Sequence, residues 1–367
     1  MMIWCIITAA ITAICIDLMF APLRAAAMRR RAQRQAKNKM TNEKAYLIKN
    51  LKDPKIEKAP TRDGYGKGLV DAGEKDGRIV VLCADLAEST RSHWFKEKFP
   101  DRFIELGVAE QNMATVAAGL ANYGKIPFMS SYAVFSPGRN NEQIRTTISL
   151  NILPVKICGA HAGVSVGPDG ATHQALEDIA LMRVQPNMTV IVPCDAVEAR
   201  KATTAAAFCC VGPTYLRFGR SKTPIFTTEK TPFEIGKAEV FREGKDATIA
   251  GCGAVLHNAL VAAEELSEEG IEAEVINSHT IKPLDNETII NSVKKTKAIV
   301  SVEEHQIAGG LGSAIAEMLS QNFPVPQEFI GVHDRFGESG DPDELINAFG
   351  MGVEDIKKAV KKVIGRK

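Results

Sequence analysis

One acidic residue interrupts the apolar face of a predicted helix in the first half of the chain. The stretch from about 109 to 122 predicts a helix, because apolar residues recur at the spacing of one buried face. These residues are Met113, Val116, Ala117 and Leu120. Glu110 lies three residues before Met113 and extends the face. A glutamate in a first helical turn can be a solvated residue favoured by the helix dipole, so the rest of the chain must decide between that interpretation and a functional acid.

A second group of polar residues follows an apolar, strand-like run at 155–160. The sequence CGAHAGVSVGPDGATHQALED, at 158–178, contains four glycines, Asp169 and two histidines, His161 and His173. Open α/β sheets bind their ligands where strands end, which favours a ligand-binding loop here. A surface loop with incidental histidines is the alternative.

The composition restricts the classes of function. The chain has 367 residues, of which 45% are hydrophobic and 24% charged, enough for two globular domains. Its 45 lysines and arginines nearly balance 44 acidic residues, so no overall charge attracts nucleic acid or an anionic membrane. The eight cysteines show no C-x-x-C or paired Cys/His spacing, which argues against zinc and indicates reduced, buried thiols in a cytoplasmic protein.

The N-terminal segment does not match the rest of the chain. Residues 1–23 carry one charge, Asp17, and a basic stretch follows them. This pattern is typical of a membrane anchor that leaves the body in the cytoplasm, and not of a secretory signal. The alternative, which we favour, is that the natural chain starts at Met40 and that 1–39 is an artefact of an early start codon. A membrane is a partner only if the anchor is real.

From residue 61 onward, apolar runs alternate with helical periods, as in parallel α/β domains. Strands are predicted at 78–86, 126–131, 155–160, 189–194 and 214–218, and helices at 110–122, 139–149, 174–182 and 195–208. Prolines and charges break the pattern at 223–246, which we interpret as a linker. We therefore predict α/β domains at 61–222 and 247–367, preceded by a lead-in segment at 40–60.

Four motifs together resemble the transketolase family. GVAEQNM (107–113) resembles the family's glutamate motif, and SSYAVFS (130–136) its aromatic cofactor-pocket segment. GVSVGPDGATHQALED (163–178) resembles the substrate loop, and VEEHQIAGGLG (302–312) a segment of the C-terminal domains of related thiamine diphosphate enzymes. The resemblance covers 61–367 and implies a pyrimidine-binding domain followed by a transketolase C-terminal domain.

The resemblance implies thiamine diphosphate as the cofactor and gives Glu110 a function. In the family, a ring nitrogen of the cofactor's pyrimidine shares a proton with a buried carboxylic acid, and Glu110 matches that acid. Phe135 matches the aromatic residue that stacks on the ring, with Tyr132 nearby. Asp85, in CADL, matches an acid that contacts the cofactor.

The family's contacts to a sugar phosphate are matched as well. Arg62, Ser89, His161 and Arg220 match the phosphate-binding residues, and Arg217 is the alternative to Arg220 if the register is shifted. Asp169 and His173 match contacts to the donor's hydroxyls, where a histidine can also move a proton. With Glu110, these two are the expected catalytic residues.

The family's amino-terminal domain, which binds the metal and the diphosphate, has no room between Met40 and Thr61. The resemblance therefore implies the C-terminal subunit of a split transketolase, which transfers a two-carbon ketol unit from a ketose phosphate to an aldose phosphate in the pentose phosphate pathway. A diphosphate-binding partner subunit is expected to supply the ligands of Mg²⁺, and this chain none. The expected assembly is a dimer of heterodimers, a heterotetramer.

Some residues depart from the family pattern. AEQN stands where many transketolases have an arginine-glutamate-histidine run, and Pro137 and Gly138 follow Phe135. These differences bear on substrate preference more than on cofactor activation. The remaining alternatives are a subunit like deoxyxylulose phosphate synthase, one like the beta subunit of 2-oxo acid dehydrogenases, and a non-catalytic assembly subunit.

Overall fold

Two mainly parallel β-sheets with packed helices organise the part of the chain that the structure describes, residues 41–367 of a computed structural model. The α/β fold predicted from the sequence is confirmed. The predicted anchor at 1–23, the rest of the extension to residue 39 and the start at Met40 lie outside the described residues. A search of the described helices finds none that is long and apolar enough to cross a membrane.

The strands are numbered in chain order. They are β1 Lys58–Ala59, β2 Ile79–Cys83, β3 Phe103–Glu105, β4 Ile126–Tyr132, β5 Lys156–Ala160, β6 Thr189–Ile191, β7 Thr214–Arg217, β8 Thr223–Pro224, β9 Glu239–Arg242, β10 Ala247–Gly251, β11 Ala273–Asn277, β12 Thr280–Lys282, β13 Ile299–Gln306 and β14 Gln327–Val332. The seven-stranded first sheet has the order β12-β6-β7-β5-β4-β2-β3, and only β12 is antiparallel to its neighbour. The five-stranded second sheet has the order β14-β13-β10-β11-β9, with β9 antiparallel.

The helices are numbered in the same way. They are α1 Thr61–Lys75, α2 Ala87–Thr90, α3 His93–Lys98, α4 Glu110–Asn122, α5 Asn141–Gln143, α6 Asp178–Arg183, α7 Ala196–Cys209, α8 Leu256–Glu268, α9 Asn286–Thr296, α10 Leu311–Asn322, α11 Pro342–Ala348 and α12 Val353–Ile364. A π-helical turn, Ile144–Ser149, continues α5. One continuous apolar core includes residues of both sheets, such as Leu82 of β2 and Ile276 of β11.

Close helix packing fixes the start of α1. An added Cβ at Gly64 would lie 2.0 Å from the Ala196 carbonyl oxygen of α7, and one at Gly68 would lie 2.6 Å from Thr203 Cβ. The two helices can approach this closely only because α1 has glycines on the facing side. Their packing positions the first turn of α1, which contains Arg62.

The structure refines several predicted elements. Helix α6 begins at Asp178, four residues later than predicted, because Gln174 is held by the preceding loop through bonds from its Nε2 to the Val164 and Gly167 carbonyls (3.0 and 3.2 Å). The segment interpreted as a linker contains β9, an edge strand of the second sheet. The domain bounds stay a prediction. The described cysteines are free, and Cys209 is exposed, unlike the buried thiols expected.

Candidate active site

The predicted site residues lie at one edge of the first sheet, where the carboxyl ends of its parallel strands meet. Tyr132 ends β4, His161 follows β5 directly, and Arg220 lies three residues beyond β7. Asp85 lies two residues beyond β2, and Glu110 begins α4 on the chain that leaves β3. Ligands of open α/β sheets bind at this edge, so the topology brings together residues that are distant in sequence.

Glu110 is buried, with 1% of its surface exposed. Its Oε2 accepts a hydrogen bond from Arg139 Nη1 at 2.6 Å, and Asn140 Nδ2 donates to its backbone carbonyl at 3.1 Å. Ala109, at the N-cap position, provides no side-chain bond to the helix. Glu110 is therefore not a solvated first-turn residue, and its chemical function stays a prediction.

Four rings form a cluster beside Glu110. Tyr132 stacks on Phe135, with ring centroids 5.8 Å apart, and on His161, at 3.9 Å. The ring of His173 meets Phe135 edge-on at 5.6 Å and Tyr132 at 6.1 Å. Phe135 and Tyr132 are only partly buried, so the cluster offers an accessible apolar wall for a flat ligand.

A cationic group lies next to these rings. Arg62 Nη1 donates to the Ser89 carbonyl at 2.8 Å and lies 3.1 Å from His161 Nε2. Arg62 Nε and His161 Nδ1 are buried without a hydrogen-bond partner. Arg220 Nη1 donates to the Val166 carbonyl at 2.8 Å. Unsatisfied donors beside several positive charges suit an anionic ligand group.

Burial sets the charge of this group. It lowers the pKa of His161 to about 3, and the charges of Arg62 and Arg220 contribute to the shift. Burial, followed by the charge of Arg91, also lowers the pKa of Arg62. His161 is thus neutral near pH 7, and the positive charge comes from the arginines.

The loop that carries His161 is held by the C-terminal part of the chain. Glu304 Oε1 accepts from the Ser165 backbone N–H at 2.7 Å. Gly163 has φ +90°, and an added Cβ there would lie 2.2 Å from the same oxygen. Gln174 Nε2 also donates to the Glu338 carbonyl at 2.9 Å. The VEEH motif therefore contributes loop positioning through Glu304.

Three predicted residues lie at the rim. Asp169 is exposed, and its carboxylate makes no hydrogen bond or ion pair with another described residue. His173 Nδ1 lies 2.9 Å from Thr172 Oγ1, and its ring faces the aromatic cluster. Asp85 is exposed with φ +59°, and its backbone N–H donates to Glu105. The structure thus brings His173 into the cluster and leaves the Asp169 and Asp85 carboxylates facing outward.

Arg217, the alternative to Arg220, is enclosed by the protein. Its Nε donates to Asp178 Oδ2 at 2.7 Å, and its Nη2 donates to the carbonyls of Glu304 and Ala175. Its side chain is 6% exposed. The geometry favours Arg220, since the Nε and Nη2 donors of Arg217 are already bonded to the Asp178 carboxylate and two carbonyls.

Comparisons with known proteins agree with this arrangement. Residues 57–225 match the family model described as the transketolase pyrimidine-binding domain, and 236–356 match that of the transketolase C-terminal domain.

The chain belongs to the transketolase family.

Three relatives illustrate how far the similarity extends. A putative transketolase C-terminal section of Methanocaldococcus jannaschii is 45% identical, covering 82% of this chain and 94% of that protein. A 6-deoxy-6-sulfo-D-fructose transketolase subunit of Clostridium sp. is 42% identical, covering 85% of this chain and 97% of that protein. A solved split-gene transketolase, described as an inactive beta4 tetramer, is 47% identical with a TM-score of 0.79 over 84% of this chain and 99% of that one. This chain is a C-terminal transketolase section, of a family that depends on thiamine diphosphate.

The residues present fit one half of that cofactor. Glu110, the part-exposed Phe135 ring and the unpartnered Asn140 Oδ1 offer a carboxylate, a wall and an acceptor to an aminopyrimidine. No group of three or more histidine, cysteine or acidic side chains in residues 41–367 is arranged to hold a metal ion.

Two arginines of the site were missed from the sequence. Arg139 contacts Glu110 and lies over the Phe135 ring at 4.7 Å. Arg91 pairs with Asp63 at 2.7 Å beside Arg62. No helical period indicates the first, because the non-helical turn at 133–140 brings Arg139 back to Phe135. None indicates Arg91 either, because an αL turn (φ +67°) directs it.

Proposed function

We propose that this chain is the C-terminal subunit of a two-subunit transketolase, which transfers a two-carbon ketol unit from a ketose phosphate to an aldose phosphate. The buried Glu110 carboxylate, beside the part-exposed Phe135 and Tyr132 rings, is the main structural support for this proposal. A hydrogen bond between a buried carboxylate and a heteroaromatic ring is stronger than one in water, because the surroundings have a low dielectric constant. The neighbouring Arg62 and Arg220 supply charge for a sugar phosphate.

Thiamine diphosphate, when bound, supplies the carbon nucleophile that takes up the ketol unit. Glu110 holds a proton at the pyrimidine nitrogen, and Phe135 orients the ring by stacking, worth of order 1 kcal/mol. His173 stands at the edge of Phe135, where it can accept or return a proton of a donor hydroxyl. Asp169 reaches donor hydroxyls from the rim, and Asp85 the cofactor.

The anionic end of the sugar is held by Arg62 and Arg220, with neutral His161 and Ser89 completing the contacts. Arginine suits this function because its planar fork donates two parallel hydrogen bonds to one phosphate. The unpartnered Arg62 Nε is available for such a bond.

A partner subunit completes the site. It supplies the Mg²⁺ and diphosphate ligands, and two such pairs assemble as a dimer of heterodimers in the cytoplasm, where the free cysteines stay reduced. The solved relative that is an inactive beta4 tetramer supports both self-association and inactivity of the chain alone.

A sulfonated sugar is a second candidate donor. The relative that acts on 6-deoxy-6-sulfo-D-fructose suggests it, and the site has one feature in its favour. Because burial keeps His161 neutral, with a pKa of about 3, the positive charge near the anion comes from arginines, and a guanidinium can bind a sulfonate as well as a phosphate.

The test is two-carbon transfer from xylulose 5-phosphate to ribose 5-phosphate, with thiamine diphosphate and Mg²⁺, by the chain alone and mixed with a diphosphate-binding subunit. We expect activity only in the mixture. Glu110→Gln should lower it about 10²- to 10⁴-fold, since it removes an acid-base group. Glu142→Gln, an exposed carboxylate nearby, is the matched control and should leave the rate unchanged.

The outcomes separate the alternatives. A stable complex that is silent with the phosphate donor but active with 6-deoxy-6-sulfofructose favours the sulfonated donor. Activity with pyruvate instead favours the 2-oxo acid or deoxyxylulose phosphate type. An active mixture that is insensitive to Glu110→Gln makes this chain an assembly subunit and overturns the proposal.

A further inference from the structure

Arg139 contacts both groups on which the proposed pyrimidine site depends, the Glu110 carboxylate and the Phe135 ring. Its Nη1 donates to Glu110 Oε2 at 2.6 Å, and its guanidinium carbon lies 4.7 Å from the centroid of the Phe135 ring. The distance to the ring is within the range of a cation–π contact. A single side chain therefore covers the carboxylate oxygen and the aromatic face together.

Local backbone structure produces this placement. The Arg139 N–H donates to the Phe135 carbonyl at 3.0 Å, which closes the non-helical turn at 135–139 and brings the two side chains together. The turn is tight at Gly138, where an added Cβ would lie 2.1 Å from the Val134 carbonyl oxygen. Arg139 is thus directed at Glu110 by the fold of the loop.

The contact can also be broken. The Arg139 side chain is 47% exposed, whereas the Glu110 side chain is 1% exposed. An arginine with half its surface in water can turn outward at small cost, because solvent replaces its partner. The buried carboxylate has no such choice and needs another donor when Arg139 leaves.

We propose that Arg139 closes the pyrimidine site of the cofactor-free subunit and must be displaced when thiamine diphosphate binds. This inference rests on the proposed function, since it assumes that the ring stacks on Phe135 and shares a proton with Glu110. The guanidinium holds Oε2 and lies over the ring, so a pyrimidine that uses this oxygen and this ring face must replace it. Arg139 is then a positioning residue that keeps Glu110 paired until the ring replaces it.

The two states are linked thermodynamically. If Arg139 stabilises the cofactor-free chain and contributes nothing to the bound one, its removal weakens the free state alone. The cofactor then binds more tightly by the same factor. A purely structural arginine predicts the opposite, because its loss would loosen the site and weaken binding.

The experiment compares full-length wild type with Arg139→Gln and Arg139→Lys. Arg145→Gln is the matched control, because Arg145 is exposed in the π-helical turn Ile144–Ser149 and makes no ion pair with a described residue. The thermal midpoint of each chain is measured without cofactor. The dissociation constant for thiamine diphosphate with Mg²⁺ is measured by calorimetry on each chain mixed with a diphosphate-binding subunit.

We expect Arg139→Gln to lower the midpoint of the cofactor-free chain by a few degrees and to tighten cofactor binding by about three- to thirtyfold. Arg139→Lys keeps the charge without the planar fork, so its midpoint and its dissociation constant should lie between those of wild type and Arg139→Gln. The ratio of the wild-type to the Arg139→Gln dissociation constant should shrink as salt rises, since salt screens the half-exposed pair. Arg145→Gln should match wild type throughout.

Unchanged or weaker cofactor binding by Arg139→Gln, with wild type binding normally, overturns the gating proposal and leaves the proposed function intact. If the cofactor binds to neither wild type nor variant in a stable complex, the proposed function fails and the inference with it.

Discussion

At the residue scale, two arginines near the end of β7 have opposite surroundings. Arg217 is enclosed, and its Nε and Nη2 donate to Asp178 and to two carbonyls. Arg220 is partly exposed, and one of its donors is bound to the Val166 carbonyl. The same residue type, three positions apart, is thus a core ion pair in one case and a candidate ligand contact in the other.

This difference predicts that substitution of Arg220 affects substrate binding, whereas substitution of Arg217 affects stability. Arg220→Gln should raise KM for the ketose phosphate about tenfold or more, the value of a hydrogen bond to a charged group, and leave the thermal midpoint near wild type. Arg217→Gln should lower the free energy of unfolding by about 3–5 kcal/mol, because it leaves the buried Asp178 carboxylate without its charged partner. Steady-state kinetics and urea unfolding measure the two effects, and a rise in KM confined to Arg217→Gln would return the phosphate contact to that residue.

Single residues differed in how well the sequence predicted them. Glu110 could be predicted because it lies on an apolar helical face and within a family motif, and its burial is confirmed. The enclosure of Arg217 and its bond to Asp178 depend on contacts between distant segments, which no local pattern encodes. The exposure of the Asp169 carboxylate likewise follows from how the loop folds, and its contact to a donor stays a prediction.

At the element scale, the packing of α1 on α7 connects stability to substrate binding. Gly64 lies two residues after Arg62 and faces the Ala196 carbonyl of α7. Any side chain at Gly64 forces the helices apart, because backbone cannot give way like a flexible side chain. A displacement of the first turn of α1 would carry Arg62 away from Ser89 and His161.

Gly64→Ala should therefore destabilise the chain by about 1–3 kcal/mol and also raise KM for the sugar phosphate. Gly119→Ala in α4 is the matched control. Nothing lies within 4 Å of an added Cβ there, so alanine should stabilise the helix by about 0.5–1 kcal/mol. Urea unfolding of the isolated chain measures the stability of both variants, and steady-state kinetics measures KM. Equal changes in the free energy of unfolding for Gly64→Ala and Gly119→Ala would contradict the packing argument.

Regular elements were more predictable than their ends. The strands at 126–131 and 155–160 and the helix at 110–122 coincide closely with β4, β5 and α4, because buried parallel strands are short apolar runs and α4 has a clear helical period. Helix α6 starts late because side-chain bonds of Gln174 fix the preceding loop. Strand β9 was missed, since an edge strand needs little apolar sequence.

At the scale of the whole molecule, a buried carboxyl group joins the two sheets. Glu198 of α7 accepts from Asn277 Nδ2 of β11 at 2.7 Å and from the Cys194 N–H at 2.7 Å. Burial, with the nearby Asp195 charge, raises the pKa of Glu198 from 4.5 to about 7. Between about pH 4.5 and 7, the Glu198 carboxyl group thus holds a proton in the folded chain that it releases in the unfolded chain.

This coupling predicts a pH-dependent stability. Between pH 4.5 and 7 the folded state binds more protons than the unfolded state at Glu198, so its contribution to the free energy of unfolding falls as pH rises. Glu198→Gln removes that fall, and its stability relative to wild type should rise across this window by up to about 3 kcal/mol. Three buried histidines have lowered pKa values, so they make the free energy of unfolding rise with pH; they are His161, His279 and His305. Both proteins contain them, so their effect cancels when the free energies of the variant and wild type are subtracted. Urea unfolding at several pH values measures it, and a flat difference would contradict the shifted carboxyl.

The fold class followed from the alternating pattern, but the joining of the two sheets did not. Strand β12 lies in the C-terminal part of the chain and pairs with β6 at the edge of the first sheet. A strand of three residues, Thr280–Lys282, gives no period by which to assign it to either sheet. Such long-range pairing depends on the packed structure of both sheets.

The most direct measurement of the central claim is a structure of this chain assembled with a diphosphate-binding subunit, thiamine diphosphate and Mg²⁺. We expect the pyrimidine to stack on Phe135, with a Glu110 carboxylate oxygen within about 2.6–3.2 Å of a ring nitrogen. We also expect Arg139 to be turned away from Glu110. A pyrimidine bound elsewhere, with the pair between Arg139 and Glu110 intact, would contradict the central claim.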